Sequence, residues 1–359
     1  MKKILVLLVL LIPLNVNAFN TNAKGAILMD TDNHRILYAE NAHYTQSVAS
    51  ISKIMTAIVT IENIDIKKEI TVGDEILKAY GSGIYVKQGE KISIENLLYG
   101  LMLRSGNDAA LVLAKNVAGS TEKFVTKMNE KARILGMNDT TFNNPSGLDE
   151  EKANISSAYD MALLMSYAMQ NEDFKTITGT KVRTVKTNKN VYKWHNKNKL
   201  LNTYKYTTGG KTGFTKKAKR TLVSTASKNG LNLTVVTIND GSDWKDHTLL
   251  YEEAFKKYTS YTFLNKGNIS ILGETYYKNN TLYTKQDFKY PLLENEKDAV
   301  TLKYKLEKNR NYKNGDKVGT VNLYIGDKKV NSQNIYVNKE KTKSQTLYQK
   351  IKAWFKNDK

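Results

Sequence analysis

The sequence predicts an α+β protein with a small all-β domain at its C-terminal end. In residues 19–261, segments with apolar residues at helical spacing alternate with short strand-like segments. In residues 262–338, apolar and polar residues alternate singly, and Gly-Asp pairs mark turns between the runs. A chain of 359 residues is long enough for two domains of these sizes. We therefore expect an α+β domain followed by a β domain.

The first domain begins with a predicted β-hairpin, in which residues 26–29 and 35–38 form the two strands. Near its end, residues 221–226 and 233–238 form two more strand-like runs. Between these pairs, apolar side chains recur at helical spacing in residues 52–64, 94–103, 108–117 and 157–169. Strands at both ends of the domain with helices between them predict one sheet and an inserted helical cluster.

The second domain has the pattern of a strand-rich spacer or docking module. Alternation is clearest around residues 300–306 and 321–325, and Gly315-Asp316 and Gly326-Asp327 are the predicted turns. Pro291 is expected on an edge strand or in a loop, because proline has no N–H to give to a neighbouring strand. The domain carries no cluster of catalytic residue types.

The N-terminal end has the pattern of a signal peptide. Two lysines follow Met1, an apolar run covers residues 4–14, and Ala18 offers a small residue for cleavage. The run is shorter than the roughly 20 residues that a membrane-spanning helix needs. We expect residues 1–18 to be a signal and the protein to be exported.

The C-terminal end, residues 339–359, is rich in Lys. Its apolar side chains fall on one helical stripe: Leu347, Ile351, Trp354 and Phe355. We expect a basic amphipathic helix that lies on an anionic membrane surface, and the alternative is an ordinary packed or frayed terminus.

The chain as a whole is strongly basic, with 55 Lys and Arg against 35 Asp and Glu and a formal net charge of +20. Such a balance favours an anionic partner. Export and the lack of a nucleic-acid-binding signature argue against nucleic acid, so anionic lipid or wall polymer is the expected partner. Cys is absent and the four His are not paired at ligand spacing, so we predict neither a metal site nor a cofactor.

Three short polar motifs predict a serine acyl-transfer centre. They are Ser50-Ile51-Ser52-Lys53, Ser105-Gly106-Asn107 and Lys211-Thr212-Gly213. Each is weak alone, but here they occur in one order, the first at the head of a helical segment and the third in a Gly-rich turn before a strand. Together they resemble the S-x-x-K, S-[DG]-N and K-T-G set of penicillin-binding proteins and class A β-lactamases.

The first motif supplies the predicted nucleophile and its base. A serine hydroxyl needs a base at neutral pH, and Lys53 would share a helix face with Ser50 if the helix began at Ser50. An ordinary lysine is protonated and cannot accept a proton. Burial and a second cation, for which Lys211 is the candidate, would lower the pKa of Lys53 enough to leave it neutral.

The other two motifs supply the remaining predicted roles. Ser105 would relay a proton between Lys53 and the leaving nitrogen, and Asn107 would orient Lys53 and bind a substrate amide. Lys211 and Thr212 suit a substrate carboxylate. Two further residues complete the expected site: Gly213, which admits substrate beside the strand backbone, and Phe214, whose N–H would join one from the helix start in an oxyanion hole.

With these motifs the sequence resembles the D-alanyl-D-alanine carboxypeptidases, the low-molecular-weight penicillin-binding proteins of the S11 serine peptidase family. The similar segments are residues 49–57, 144–148, 157–162, 196–201 and 209–215. Four positions depart from the family pattern: Val48 replaces a usual Pro, Asn154 a common His, Lys219 a usual Gly and Asp243 a frequent Arg. We expect these departures to affect substrate contacts rather than acylation.

The resemblance implies a fold, an activity and a location. The fold is the transpeptidase domain shared by penicillin-binding proteins and β-lactamases, followed by a β-sandwich-like domain. Ser50 would attack the bond between the two D-Ala residues of a peptidoglycan stem peptide, water would release the shortened peptide, and β-lactams would acylate Ser50. Lys197 is expected to help bind the carboxylate. The tail would hold the protein peripherally at the outer face of the bacterial cytoplasmic membrane.

Two other functions stay open at this point. A class A β-lactamase uses a Glu to activate the deacylating water, and Glu150 and Asn154 loosely match its spacing. The Ser-Gly-Asn form of the second motif, the β domain and the basic tail favour the carboxypeptidase. A non-catalytic wall-binding or β-lactam-sensing module is disfavoured because every catalytic residue type is present.

Overall fold

The computed structural model describes residues 20–149, 151–308 and 311–339. The predicted signal peptide, Glu150 and all but the first residue of the predicted tail helix lie outside the described residues. Among the helices inside these ranges, none combines the length and the apolar character needed to cross a bilayer.

The secondary structure alternates along the first two thirds of the chain and is almost entirely β after that. The strands are β1 Gly25–Asp30, β2 Ile36–Glu40, β3 Gln46–Ser47, β4 Glu69–Thr71, β5 Lys91–Ser93, β6 Ile155–Ser156, β7 Val182–Lys186, β8 Val191–His195, β9 Thr207–Thr215, β10 Lys219–Lys228, β11 Leu231–Ile238, β12 Tyr258–Leu264, β13 Gly267–Ile269, β14 Asn280–Thr284, β15 Phe288–Leu293, β16 Val300–Leu306, β17 Lys317–Ile325 and β18 Lys328–Lys339. The α-helices are α1 Lys53–Asn63, α2 Ile94–Tyr99, α3 Asn107–Ala118, α4 Thr121–Ile134, α5 Ala158–Ala168, α6 Glu172–Gly179, α7 Leu200–Thr203 and α8 Asp243–Lys257. Short 3₁₀ or π turns join some of them.

The described chain divides into two compact units. Of the described residues, the first unit comprises those in 20–29, 36–226 and 233–252, and the second comprises those in 30–35, 227–232 and 253–339.

One antiparallel sheet organises the first unit, in the strand order β2-β1-β11-β10-β9. β1 and β11 are central, and nearly all their residues are buried because their apolar and β-branched side chains fill both faces. The predicted strands 26–29, 221–226 and 233–238 lie inside β1, β10 and β11. β9 is the edge strand, and it contains the whole third motif, which we had expected in a turn. Glycine is depleted in strands, and the glycines in this segment give it a low β-propensity. For this reason β9 was not predicted from the sequence.

The helical cluster packs around α1, whose residues from Lys53 to Thr60 are all buried. α1 contacts α3, α4, α5 and α6, and their apolar faces form one continuous core. Surface helices bury one stripe, whereas α1 is enclosed on most sides, so even its threonines and its lysine are inaccessible to water. Because the first motif runs into α1, its lysine, Lys53, is buried within the helical cluster.

In the second unit, a five-stranded sheet has the order β13-β14-β18-β17-β16, and β12 and β15 form a separate two-stranded sheet. Alternate residues of β17 and β18 form its core, including Val321, Leu323, Ile335 and Val337. Pro291 lies in β15, whose only partner strand among the described residues is β12, so proline does occupy an edge strand here.

Candidate active site

Ser50 lies in a 3₁₀ turn that leads directly into α1. The turn covers Ala49–Ser52, so the α-helix begins at Lys53 and not at Ser50, as the sequence argument had assumed. A 3₁₀ turn also places residues i and i+3 on one face, so the Lys53 side chain still returns to Ser50. Lys53 Nζ lies 3.1 Å from Ser50 Oγ. The two side chains are in hydrogen-bond contact.

The Lys53 amine is fully buried and has two further oxygen partners. Nζ donates to Asn107 Oδ1 at 2.7 Å and to the carbonyl oxygen of Ser146. Burial is the main reason why the pKa of Lys53 falls from 10.5 to about 7, because it removes water from the charged form. The charge of Lys197 adds to this fall, and that of Asp108 opposes it. At physiological pH, the Lys53 amine is therefore neutral in a large fraction of the molecules.

Ser105 holds an unusual backbone conformation. It follows a five-residue π-helical turn, Gly100–Arg104, and has a left-handed φ of 64°. Strain of this kind in a residue other than glycine is found most often at functional sites. The conformation brings the Ser105 hydroxyl to Lys211, whose Nζ donates to Ser105 Oγ at 3.1 Å. From the sequence, Ser105 is expected to exchange a proton with Lys53. The observed contact makes Lys211 an additional candidate for the group that supplies a proton to Ser105.

Lys211 is buried in β9 next to the other amines. Its Nζ also donates to the Thr212 carbonyl at 2.7 Å. Burial, with Lys53 and Lys197 nearby, holds the pKa of Lys211 well below its ordinary value. The sequence predicts Lys211 as the second cation that lowers the pKa of Lys53, but the cation that acts on Lys53 is Lys197, which also lowers the pKa of Lys211.

Asn107, the first residue of α3, connects the base to the loop that contains Tyr80 and Ser82. While Oδ1 accepts from Lys53, Nδ2 donates to the Tyr80 carbonyl at 2.6 Å, and the Asn107 backbone N–H donates to the Ser82 carbonyl at 2.7 Å. Lys197 contacts the same loop, since its Nζ donates to Ser82 Oγ at 3.2 Å.

The third motif approaches the nucleophile through Gly213. A Cβ added to Gly213 would lie 3.1 Å from the backbone nitrogens of Ser50 and Ile51 and 2.4 Å from Thr221 Oγ1. Only glycine therefore lets β9 run this close to the 3₁₀ turn. The closeness supports an oxyanion hole between the Ser50 turn and Phe214, and that hole stays a prediction.

The Ser146 carbonyl is held in place by two asparagines. Asn144 Oδ1 accepts the Ser146 N–H at 3.2 Å. Asn154, which departs from the family pattern, is buried and clamps Asn144, because its Oδ1 accepts the Asn144 N–H at 3.0 Å and its Nδ2 donates to the Asn144 carbonyl at 2.9 Å. The amide of Asn154 is thus used within the protein and positions a partner of Lys53.

Gly147 lets this loop pack against the nucleophile turn. Its φ is +77°, and an added Cβ would lie 2.1 Å from the carbonyl oxygen of Ala49. A side chain at position 147 would therefore push against the residue that precedes Ser50.

An open cavity of about 440 Å³ gives access to this arrangement. Six of the predicted site residues line it: Ser50, Ser105, Lys197, Thr212, Gly213 and Phe214. The other three are buried behind that wall: Lys53 contacts Ser50, Lys211 contacts Ser105, and Asn107 contacts Lys53. All nine predicted site residues therefore lie in one place.

The cavity wall also contains residues that the sequence analysis did not select. Arg220 lines it, and its guanidinium is held by Asp243, with Nε 3.2 Å from Oδ2, and lies 5.5 Å from the Trp244 ring. Arg220 pairs with Phe214 across β9 and β10, so a hairpin reading of residues 207–228 would have found it. Ser82 is a further omission, with Thr221 and Trp244, and it lies in a loop without any periodic pattern.

Comparison with known proteins gives matches to one group. The family model for D-alanyl-D-alanine carboxypeptidase matches residues 13–242, and the model for the penicillin-binding protein 5 C-terminal domain matches residues 258–343. The chain is 34% identical over 249 residues to the D-alanyl-D-alanine carboxypeptidase DacF of Bacillus subtilis, covering 67% of this chain and 64% of that relative. It thus spans a little under two thirds of that relative's length.

Two other relatives are matched over most of their length. The D-alanyl-D-alanine carboxypeptidase DacD of Escherichia coli is 29% identical over 342 residues, which cover 88% of this chain and 86% of the relative. The crystal structure of penicillin binding protein 5 from Haemophilus influenzae superimposes with a TM-score of 0.72 at 25% identity, covering 89% of this chain and 98% of that one.

Proposed function

Because this chain belongs to the D-alanyl-D-alanine carboxypeptidase family, we propose that it removes the terminal D-alanine from peptidoglycan stem peptides through an acyl-enzyme on Ser50. The observation that carries the proposal is the buried Lys53 amine, with its lowered pKa, 3.1 Å from the Ser50 hydroxyl. The adjoining cavity is lined by Lys197 and Arg220, which suits a peptide that ends in a carboxylate. β-Lactams, which carry a carboxylate beside a strained amide, are the expected covalent inhibitors.

The surroundings of Lys53 fit a neutral amine, which has two N–H donors and one lone pair. The Asn107 side chain and the Ser146 carbonyl accept the two N–H groups. This leaves the lone pair for the Ser50 proton. Ser50 Oγ attacks the carbonyl carbon between the two D-Ala residues while its proton passes to Lys53.

The leaving nitrogen then needs a proton as the C–N bond breaks. Ser105 supplies it and is reprotonated by Lys211, the amine that contacts its hydroxyl. The proton that Lys53 took from Ser50 then replaces the one that Lys211 gave, so Lys53 is neutral again before the ester is hydrolysed. D-Alanine departs, and an ester joins the shortened peptide to Ser50. Water, activated by Lys53, hydrolyses this ester and restores the Ser50 hydroxyl.

The remaining predicted residues bind and polarise the substrate. Thr212 and Lys197 lie on the cavity wall, where they can hold the terminal carboxylate. The N–H groups of Ser50 and Phe214 would stabilise the oxyanion, and the close approach at Gly213 supports this arrangement.

The test is release of D-alanine from diacetyl-Lys-D-Ala-D-Ala, with mass spectrometry of the protein after exposure to benzylpenicillin. The protein should release D-alanine and gain a penicilloyl adduct on Ser50. Ser50→Ala should do neither, while the exposed Ser270→Ala, in the second unit, should do both. A folded protein with D-alanine release equal to that of Ser50→Ala would contradict the proposal, and rapid hydrolysis of penicillin would favour a β-lactamase.

The proposed reaction also sets a location. Peptidoglycan lies outside the cytoplasmic membrane, so residues 1–18 would direct export, and the basic tail of residues 339–359 would hold the protein peripherally on anionic lipid. The net charge of +20 and the apolar stripe of the tail support this proposal.

A further inference from the structure

A second cleft, of about 350 Å³, adjoins the candidate active site. Ser82 belongs to both: it lines the active-site cavity and also this cleft, which is formed by residues 76–88 and Asp108. Its rim carries large apolar and aromatic side chains that are mostly exposed: Leu77 at 75%, Tyr80 at 55% and Tyr85 at 69%. Exposure of three such side chains around one depression is typical of a binding site rather than of a core.

The backbone of this cleft is fixed by the same segment that supplies the second motif. Asn107 holds the carbonyls of Tyr80 and Ser82. Asp108 accepts the N–H of Tyr85 at 2.7 Å and that of Ile84 at 3.0 Å. The cleft and the Lys53–Ser50 pair are therefore held by neighbouring residues at the start of α3.

Tyr85 is the most constrained residue of the rim. Its φ is +63°, a left-handed conformation that residues other than glycine rarely adopt. Besides the Asp108 contact to its N–H, its carbonyl accepts from the Tyr192 hydroxyl at 3.3 Å. The protein thus holds this backbone from both sides while its ring stays in solvent. A fixed and exposed aromatic ring offers contact area at a low cost in conformational entropy.

The electrostatic character of the two depressions differs. The active-site cavity contains Lys197 and Arg220, whereas Lys87 is the one cation on the described wall of the second cleft, which also includes Asp108. A substrate that ends in a carboxylate would turn that end to the first cavity. The D-alanine that leaves is small, so the long part of a stem peptide lies on the acyl side of the scissile bond.

We infer that the cleft of residues 76–88 is a subsite for the acyl side of the substrate, where Leu77, Tyr80 and Tyr85 contact aliphatic parts of the residues that precede D-Ala-D-Ala. This inference rests on the proposed carboxypeptidase function and names the part of the substrate that the cleft selects. It assigns selectivity to peptide length: long stem peptides gain contacts that short ones lack.

The test compares two substrates in the full chain, N-acetyl-D-Ala-D-Ala and L-Ala-γ-D-Glu-L-Lys-D-Ala-D-Ala. Tyr85→Asn removes the ring but keeps a residue type that tolerates a left-handed φ. It should lower kcat/KM for the pentapeptide about tenfold more than for the short substrate, mainly through KM, as loss of an aromatic anchor does. Leu77→Ser should act in the same direction.

Two matched variants control for general damage. Tyr44→Asn replaces another exposed tyrosine of the first unit, outside the cleft, and Leu272→Ser replaces an exposed leucine of the second unit. Neither should change the ratio of the two kcat/KM values. Equal losses on both substrates in Tyr85→Asn, or no loss on either, would overturn the inference. A third substrate, N-acetyl-D-Ala-D-Phe, has a larger leaving group. A loss confined to this substrate would also overturn the inference, because the cleft would then serve the leaving group.

Binding separates this inference from the proposed function. In the Ser50→Ala variant, calorimetry with the tripeptide L-Ala-γ-D-Glu-L-Lys should show weak binding that Tyr85→Asn removes. If the unmodified chain hydrolysed neither substrate, the proposed function would fail, and the tripeptide titration would still decide on the cleft. Absence of tripeptide binding together with equal kcat/KM ratios would refute the subsite alone.

Discussion

Lys53 makes the proposed chemistry depend on pH. Its pKa of about 7 results mainly from burial, the positive charge of Lys197 lowers it further, and Asp108 opposes the fall. Lys53 accepts a proton only as the neutral amine. The neutral fraction grows about tenfold per pH unit below the pKa and levels off above it.

We therefore expect the rate of acylation by benzylpenicillin to rise with pH and to reach a plateau above pH 7. Quenched-flow measurements between pH 5 and 9 would show it. Lys197→Ala removes a nearby positive charge, so the pKa of Lys53 should rise and the profile should move to higher pH. Lys193→Ala, an exposed lysine of β8, is the control and should leave the midpoint in place. A flat profile from pH 5 to 8 would show that Lys53 is not the base.

Gly147 gives a second prediction for a single residue. In Gly147→Ala the new methyl group would meet the Ala49 carbonyl, so the turn that carries Ser50 must move. We expect a loss of more than about 2 kcal/mol in the free energy of unfolding, from strain and overpacking together, and acylation slower by at least about 100-fold. Urea unfolding and the penicillin reaction measure the two effects.

The chain contains a matched control for that variant. Gly136 has a similar φ of +73°, but an added Cβ would have nothing within 4 Å. Gly136→Ala should therefore cost only about 1 kcal/mol, the price of the left-handed backbone, and leave acylation as it was. Equal acylation rates in the two variants would contradict the role given to the contact at Ala49.

At the residue scale, the sequence predicted which side chains form the site but not all of their contacts. The nine residues converge because three spaced motifs specify three elements. The link from Lys211 to Ser105 could not be predicted, because it depends on the π turn before Ser105 and its left-handed φ. The Ser146 carbonyl was also missed, since main-chain atoms carry no signal in the residue type.

At the scale of elements, the hairpin of β9 and β10 contains a strained position that the sequence made conspicuous. Lys219 stands where the family usually has Gly, and its φ is +58°. Lys219→Gly should raise the free energy of unfolding by about 0.5–1 kcal/mol, because glycine accepts this φ without strain. Lys217→Gly, two residues earlier in the turn and not among the positive φ values, should lower it instead. Thermal unfolding of both variants is the measurement, and a decrease for Lys219→Gly would contradict the strain argument.

The elements that the sequence predicted best are those with strong periodicity. The segments 52–64, 108–117 and 157–169 correspond to α1, α3 and α5 within one residue at every end. The segment 94–103 is helical as predicted, but only its first part is α-helix, because α2 ends at Tyr99 and the π turn Gly100–Arg104 continues it. β9 was missed because it is stabilised by pairing with β10 rather than by its own composition.

At the scale of the whole molecule, the division into an α+β part and a β part was predictable from the change in periodicity. The boundary was less so, because β12 begins at Tyr258 and continues past the predicted end of the first domain at residue 261. Because β12 crosses the boundary between the two sequence patterns, the apolar alternation does not stop there. The sequence therefore does not give the domain boundary to the single residue.

The charge of the whole chain leads to the last prediction. Removing residues 340–359 should weaken binding to vesicles that contain phosphatidylglycerol, and raised salt should weaken binding of the full chain in the same way. D-Alanine release from a soluble peptide should stay the same, since no described site residue lies in that segment. Sedimentation with vesicles measures the first effect. Equal binding by both chains would show that the tail is not the membrane contact.

The group of Ser146 that accepts from Lys53 is a peptide carbonyl, and this limits which substitutions can affect the site. No substitution can remove a backbone oxygen. Substitutions in this loop can therefore act on the carbonyl only by displacing it. Asn154 in place of the family's common His illustrates a tolerated substitution, because its amide still clamps Asn144. Variants that escape penicillin are therefore expected to arise from displaced loops rather than from a lost partner of the base.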